Sequence, residues 1–222
     1  TFTLNRSRHA SFRDNEILTN QTNLTARFRS GTWQHSLTSG VEFIYESQFT
    51  QTMAGLGTLA PTSLYNPDRT GVFDEAPALA PNGAFADGET ITSALYAFDT
   101  IELNDRWHVT GGVRVEHFRT ETQSVLISNA VPPVTTTAAL DDSDTLASWK
   151  VGVLYKPLTN GSVYVSFANS LKPPGADNFT LNATASNINS PNLDPQKASN
   201  IELGTKWEFL DGEVALTGAL FH

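Results

Sequence analysis

The chain has 222 residues, with 14 Lys and Arg against 23 Asp and Glu, a formal charge of −9, and no cysteine. Zero cysteine excludes a disulfide scaffold, a Cys-ligated zinc site and thiol catalysis, and an acidic chain without a Lys/Arg cluster is a poor match for a nucleic-acid backbone. No apolar run approaches the roughly 18 residues of a membrane helix, which leaves open a span built from strands, whose signal is alternation.

In chain order, a partial strand is predicted within residues 1–12, and residues 18–28 put Leu18, Leu24, Ala26 and Phe28 on one face. Ser30-Gly31 then supplies a tight turn. Residues 33–48 alternate strictly: Trp33, His35, Leu37, Ser39, Val41, Phe43 and Tyr45 oppose Gln34, Ser36, Thr38, Gly40, Glu42, Ile44 and Glu46. Successive side chains of a strand point to opposite faces, so this segment has one apolar and one polar face. A long connection is expected over residues 49–88. Residues 90–103 are irregular, because Tyr96 and Phe98 share one parity while Ile101 and Leu103 take the other. A β-bulge is expected there to bring them to one face.

After a turn at Asn104-Asp105, Trp107, Val109, Gly111, Val113 and Val115 oppose His108, Thr110, Gly112, Arg114 and Glu116. A second long connection is expected over 123–144. Trp149, Val151, Val153 and Tyr155 oppose Lys150, Gly152, Leu154 and Lys156, and a turn follows between Pro157 and Gly161. Val163, Val165 and Phe167 oppose Tyr164, Ser166 and Ala168, ahead of a third long connection over 171–198. Ile201, Leu203, Thr205, Trp207 and Phe209 oppose Glu202, Gly204, Lys206 and Glu208; Leu210-Asp211-Gly212 turns the chain into a last apolar face of Val214, Leu216 and Leu220.

Short turns and long connections therefore alternate, which collects all short turns at one end and all long loops at the other. That asymmetry is the pattern of an outer-membrane barrel, with short periplasmic turns and long extracellular loops. Strands of about 10–16 residues suit a tilted membrane crossing better than the usual globular strand of about 5–6. Trp33, Trp107 and Trp207 each lie near a short turn, as an interfacial aromatic girdle requires. The expected fold is all-β: an antiparallel up-and-down transmembrane barrel, here a partial one of about eight to nine strands. A soluble antiparallel sandwich alternates in the same way, so alternation alone does not separate the two.

Three passages resemble TonB-dependent outer-membrane siderophore receptors. The first runs Asn192-Leu193-Asp194-Pro195-Gln196-Lys197-Ala198-Ser199-Asn200-Ile201-Glu202-Leu203-Gly204-Thr205-Lys206-Trp207 and continues into Leu210-Asp211-Gly212. Gln196 stands where the family usually has Glu, and Ile201 where it often has Tyr. The second is Tyr96-Ala97-Phe98-Asp99-Thr100-Ile101-Glu102-Leu103 with Arg106-Trp107 and Gly111-Gly112-Val113-Arg114; the third is Gly161-Ser162-Val163-Tyr164-Val165-Ser166-Phe167-Ala168-Asn169-Ser170-Leu171-Lys172-Pro173. The resemblance implies a plugged barrel of about 22 strands that imports ferric siderophores with energy delivered through TonB. Residues 1–222 would be part of that barrel domain, with the plug and remaining strands absent. The opening without a start methionine and the close at Leu220-Phe221-His222 read as cut ends. The loop style of residues 170–177 resembles catecholate-type receptors. The partners implied are outer-membrane lipid, a ferric siderophore as transported ligand and the TonB complex, with no cofactor and no nucleic acid. The rival readings are a small self-contained barrel acting as adhesin or structural protein, and a soluble all-β binding module.

Catalysis finds no motif: His9, His35, His108, His117 and His222 are scattered without metal-ligand spacing. Asp141, Asp142 and Asp144 miss the EF-hand pattern and read as a solvated acidic loop. A bulky, anionic, partly aromatic ligand calls for cations and aromatic faces on exposed loops, which selects Tyr65, Arg69, Phe73, Lys172 and Phe179 as candidate contacts. By parity, Arg114, Glu116, Lys150, Glu202 and Lys206 face a wet lumen.

Overall fold

The computed structural model describes residues 2–7, 10–54, 58–67 and 79–222. Among them are ten strands: β1 (Thr3–Ser7), β2 (Ser11–Ser30), β3 (Trp33–Ala54), β4 (Thr58–Ser63), β5 (Ala80–Glu102), β6 (Trp107–Ile127), β7 (Thr135–Leu158), β8 (Gly161–Lys172), β9 (Gln196–Phe209) and β10 (Val214–Phe221). β1 pairs with β4, and the other eight form one antiparallel sheet in the order β10-β9-β8-β7-β6-β5-β3-β2. Each strand of that sheet pairs with its neighbour in the chain, apart from the small β1–β4 pair. The sheet is an open one, with β2 and β10 as its two edges.

One row across this sheet reads Phe28, His35, Ile101, Val109, Val153, Val165, Leu203 and Leu220. The adjacent row, on the opposite face, reads Arg27, Ser36, Thr100, Thr110, Gly152, Ser166, Glu202 and Phe221. The outer face is apolar and largely exposed, with Val41, Val113, Val151 and Leu203 all open. The other face carries small and polar side chains with a few large apolar and aromatic ones among them.

Several expectations need correction. β2, β3, β5, β6 and β7 run 20–24 residues, well beyond the predicted length. The predicted connection over 123–144 shrinks to residues 128–134, and β3, β4 and β5 take up much of 49–88. The reason is physical. Alternation marks only the part of each strand whose outer face is apolar; beyond it the ladder continues while the outer face turns polar, and the alternation disappears. Glu89, Glu121 and Asp141, register partners on the outer face, mark that polar extension. Asp141, Asp142 and Asp144 consequently belong to a strand, not a loop, and strand geometry sends Asp142 and Asp144 to the face opposite Asp141. Burial pushes the Asp142 carboxyl above its ordinary value; the Ser143 backbone opposes this, and Asp144 and Asp141 add to it.

The expected bulge in residues 90–103 is absent. β5 pairs with β6 in unbroken register from Phe85↔Val125 to Glu102↔His108. Ile91, Leu95 and Ile101 take the outer face, and Tyr96 and Phe98 point inward.

The turns follow their residues. Gly31 takes φ 64 in the two-residue link between Ser30 and Trp33. Asn104 Oδ1 accepts from the backbone N–H groups of Arg106 and Trp107 at 2.9 and 3.0 Å, an Asx turn.

Candidate functional site

The inner face is wired by side-chain pairs set by register. The Arg114 guanidinium donates to Glu42 at 2.7 Å and to Glu116 at 2.8 Å. The Lys150 ammonium lies 5.0 Å from the Phe98 ring centre, and the Lys206 ammonium 5.9 Å from that of Tyr164. The Tyr164 hydroxyl donates to Glu202 at 2.6 Å. Tyr96 accepts from Gln21 at 2.8 Å and donates to Asn23. Arg114, Glu116, Lys150, Glu202 and Lys206 thus all line the inner wall and all have partners there. Replacing Arg114 by Leu leaves two half-buried carboxylates without a counter-charge. The expected loss is about 1–3 kcal/mol of barrel stability, read by urea unfolding in lipid vesicles, with Glu42→Gln in the same background returning part of it.

Three of the inward aromatics rest on bare backbone: Tyr96 is the register partner of Gly40, Phe98 of Gly112 and Tyr164 of Gly204. A Cβ at each glycine would fall within 2.6 Å of the ring or hydroxyl above it. Parity places Tyr164 inward in the sequence, but the expected bulge hid the inward course of Tyr96 and Phe98. The glycines opposite them were the available signal, since an interior strand glycine marks a close approach.

The buried Phe118, Thr120 and Thr122 of β6 and Leu146 of β7 share this inner face in its half away from the short turns. The connection 173–195 covers them. Its Leu181 is buried, and the Leu181 amide donates to Thr122 Oγ1 at 2.8 Å. The Phe179 carbonyl rests on Gly88.

Among the candidate ligand contacts, Tyr65 is 80% exposed and meets Phe2 edge-on at 6.1 Å, beside the β1–β4 pair. Lys172 ends β8 and pairs with Asp177 at 2.5 Å. Phe179, with φ 56, lies half-buried in the inward-turned connection. Lys172 and Phe179 therefore belong to one structural unit. Arg69 and Phe73 lie outside the described residues.

The family described as "TonB dependent receptor-like, beta-barrel" matches residues 1–222. The chain belongs to the TonB-dependent receptor β-barrel family. It is 39% identical over 236 aligned residues to the catecholate siderophore receptor Fiu of Escherichia coli O6:H1, covering 97% of this chain and 30% of that protein. The crystal structure of the ferric-catecholate import receptor Fiu from E. coli K12 in its closed form superposes with a TM-score of 0.85 at 37% identity, over 94% of this chain and 31% of that one. The siderophore receptor PiuA from Acinetobacter baumannii gives a TM-score of 0.79 at 26% identity, over 95% and 32%. The chain thus spans about a third or less of the relatives it matches.

As a TonB-dependent receptor segment, the sheet is part of an outer-membrane barrel wall. In barrels of this kind the outward band is apolar, the interior polar, and the short turns periplasmic. Trp33 and Trp107 open β3 and β6 at that end on the lipid face, both nearly half exposed. His35, two residues inside Trp33, is also on the lipid face and bonds Asp99 at 2.6 Å beneath the stacked ring of Phe28. That pairing removes much of the cost of holding two polar groups against hydrocarbon.

Proposed function

We propose that this chain is part of a receptor that imports ferric siderophores of the catecholate class across the outer membrane, with energy supplied through TonB. The observation that carries the reading is the 39% identity to Fiu across 97% of the chain. The open eight-stranded sheet supports assigning all of residues 1–222 to one barrel domain, completed by further strands and a lumen plug elsewhere in the protein. The family is one of transport receptors, and the reading includes no enzymatic activity, no cofactor and no nucleic-acid partner. Lipid surrounds the outer face, and the ligand is met by the long-loop end, with Tyr65, Arg69, Phe73, Lys172 and Phe179 as contacts.

The test is iron uptake by cells stripped of their own catecholate receptors and supplied with the full-length protein. Uptake of iron(III) tris(catecholate) that vanishes without TonB is the expected result; a folded, surface-exposed receptor that takes up none refutes the reading. Lys172→Ala is expected to weaken ferric-catecholate binding about tenfold, equivalent to about 1.4 kcal/mol, measured by fluorescence titration of the receptor in detergent. The variant removes the ammonium that competes between Asp177 and an anionic ligand.

A further inference from the structure

The connection 173–195 has the composition of a surface loop, rich in Pro and Asn, yet it is built into the inner wall. Its first anchor is Gly88 of β5, where a Cβ would lie 1.9 Å from the Phe179 carbonyl oxygen, so only glycine admits the loop backbone there. Its second is the hydrogen bond from the Leu181 amide to Thr122 Oγ1 at 2.8 Å. A third is Gly175, at φ 79, whose Cβ position lies 3.2 Å from Leu181 and 3.4 Å from Thr120. At the far end Ser190 is fully buried. Internal turns pre-shape the segment: Asn178, Asn182 and Asn187 side chains each accept from a backbone amide two residues on. Swinging this unit out of the lumen would expose Phe118, Thr120, Thr122 and Leu181 together.

A second feature concerns its chemistry. Residues 178–193 include no Asp, Glu, Lys, Arg or His, although the chain is 17% charged. The side chains left exposed there include Asn182, Thr184 and Ser186. Neutral amides and hydroxyls neither repel an anion nor trap it.

We infer that the uncharged stretch 178–193 of this connection forms a fixed constriction of the lumen that selects by size and not by charge, and that it stays seated while ligand passes, with Gly88 and Thr122 as its positioning residues. The inference rests on the import reading above. It is tested in the full-length receptor carrying Thr122→Cys and Leu181→Cys, positions joined by the 2.8 Å bond from the Leu181 amide to Thr122 Oγ1. Formation of the cross-link is followed by peptide mass, and initial uptake of iron(III) tris(catecholate) is compared before and after reduction. A link that forms and leaves the rate within about twofold is expected for an element that need not move. Loss of uptake on oxidation, restored by a reductant, overturns the inference while the import reading stands. Where no link forms, proteinase K added to intact cells decides: protection of 173–195 upholds the seat, and cleavage within it overturns the inference.

Gly88→Val supplies a readout that a purely structural role would not move. It is expected to expose the loop to the protease and to raise uptake of bulky ferric-catecholate conjugates relative to the parent complex, at unchanged barrel folding. An unchanged ratio in an unseated loop overturns the size filter. A wild-type receptor that takes up no ferric catecholate removes the import reading, and the filter with it.

Discussion

Val113→Arg is expected to destabilise the receptor by about 2–4 kcal/mol, the cost of an arginine on the lipid face of a membrane barrel near the bilayer midplane. Val113 lies six residues into β6 from Trp107 and points outward. At about 3.4 Å per residue and a strand tilt near 40°, that is about 15 Å from the periplasmic interface, roughly half the apolar band. The control is Thr25→Lys, an inward position of β2 that pairs with Thr38, where the change should stay within about 0.5 kcal/mol because a wet lumen solvates the ammonium. Urea unfolding of the receptor in lipid vesicles, followed by tryptophan fluorescence, measures both. Equal costs would mean that the two faces do not differ in solvent, and the assignment of lipid and lumen would be wrong.

The same asymmetry decides what could be read from the sequence. Residues 33–48, 107–116, 149–156 and 201–209 announced themselves because the bilayer demands an apolar side chain at every second position. Residues 135–148 did not. There, Thr135-Thr136-Thr137 and Asp141-Asp142-Ser143-Asp144 stand in β7 with water on one face and a polar seat on the other, so composition looks like a loop while the backbone is fully paired with β6. The inward course of 173–195 was also hidden, since its anchors join Phe179 to Gly88 and Leu181 to Thr122, far apart in the chain. Local pattern has no term for such contacts. Parity alone assigns Arg114, Glu116, Lys150, Glu202 and Lys206 to one face of the sheet, but not their partners: Glu42 reaches Arg114 diagonally from β3, two strands away and one row along.

Tyr96 and Phe98 are the informative error, and they lead to the second large effect. Gly112→Val is expected to cost about 1–3 kcal/mol, the usual range for forcing extra carbon into an occupied space. A Cβ at that position would fall 1.8 Å from Phe98 Cδ1, and the ring is further held by the Lys150 ammonium on its exposed side. Taken alone, valine should favour a strand over glycine, by β-propensity and by the smaller backbone entropy it loses. The sign of the effect therefore depends on the ring. In a Phe98→Ala background the clash is gone, so Gly112→Val should become neutral or stabilising, and the double-mutant cycle should return a coupling of at least about 1 kcal/mol. Tyr164 above Gly204 repeats the arrangement farther along the same inner face, where a Cβ would meet the ring at 2.3 Å. A Gly112→Val receptor as stable as wild type would mean the ring swings aside freely. The inward aromatics would then be loose lumen residues, and the bare glycines beneath them would need another cause.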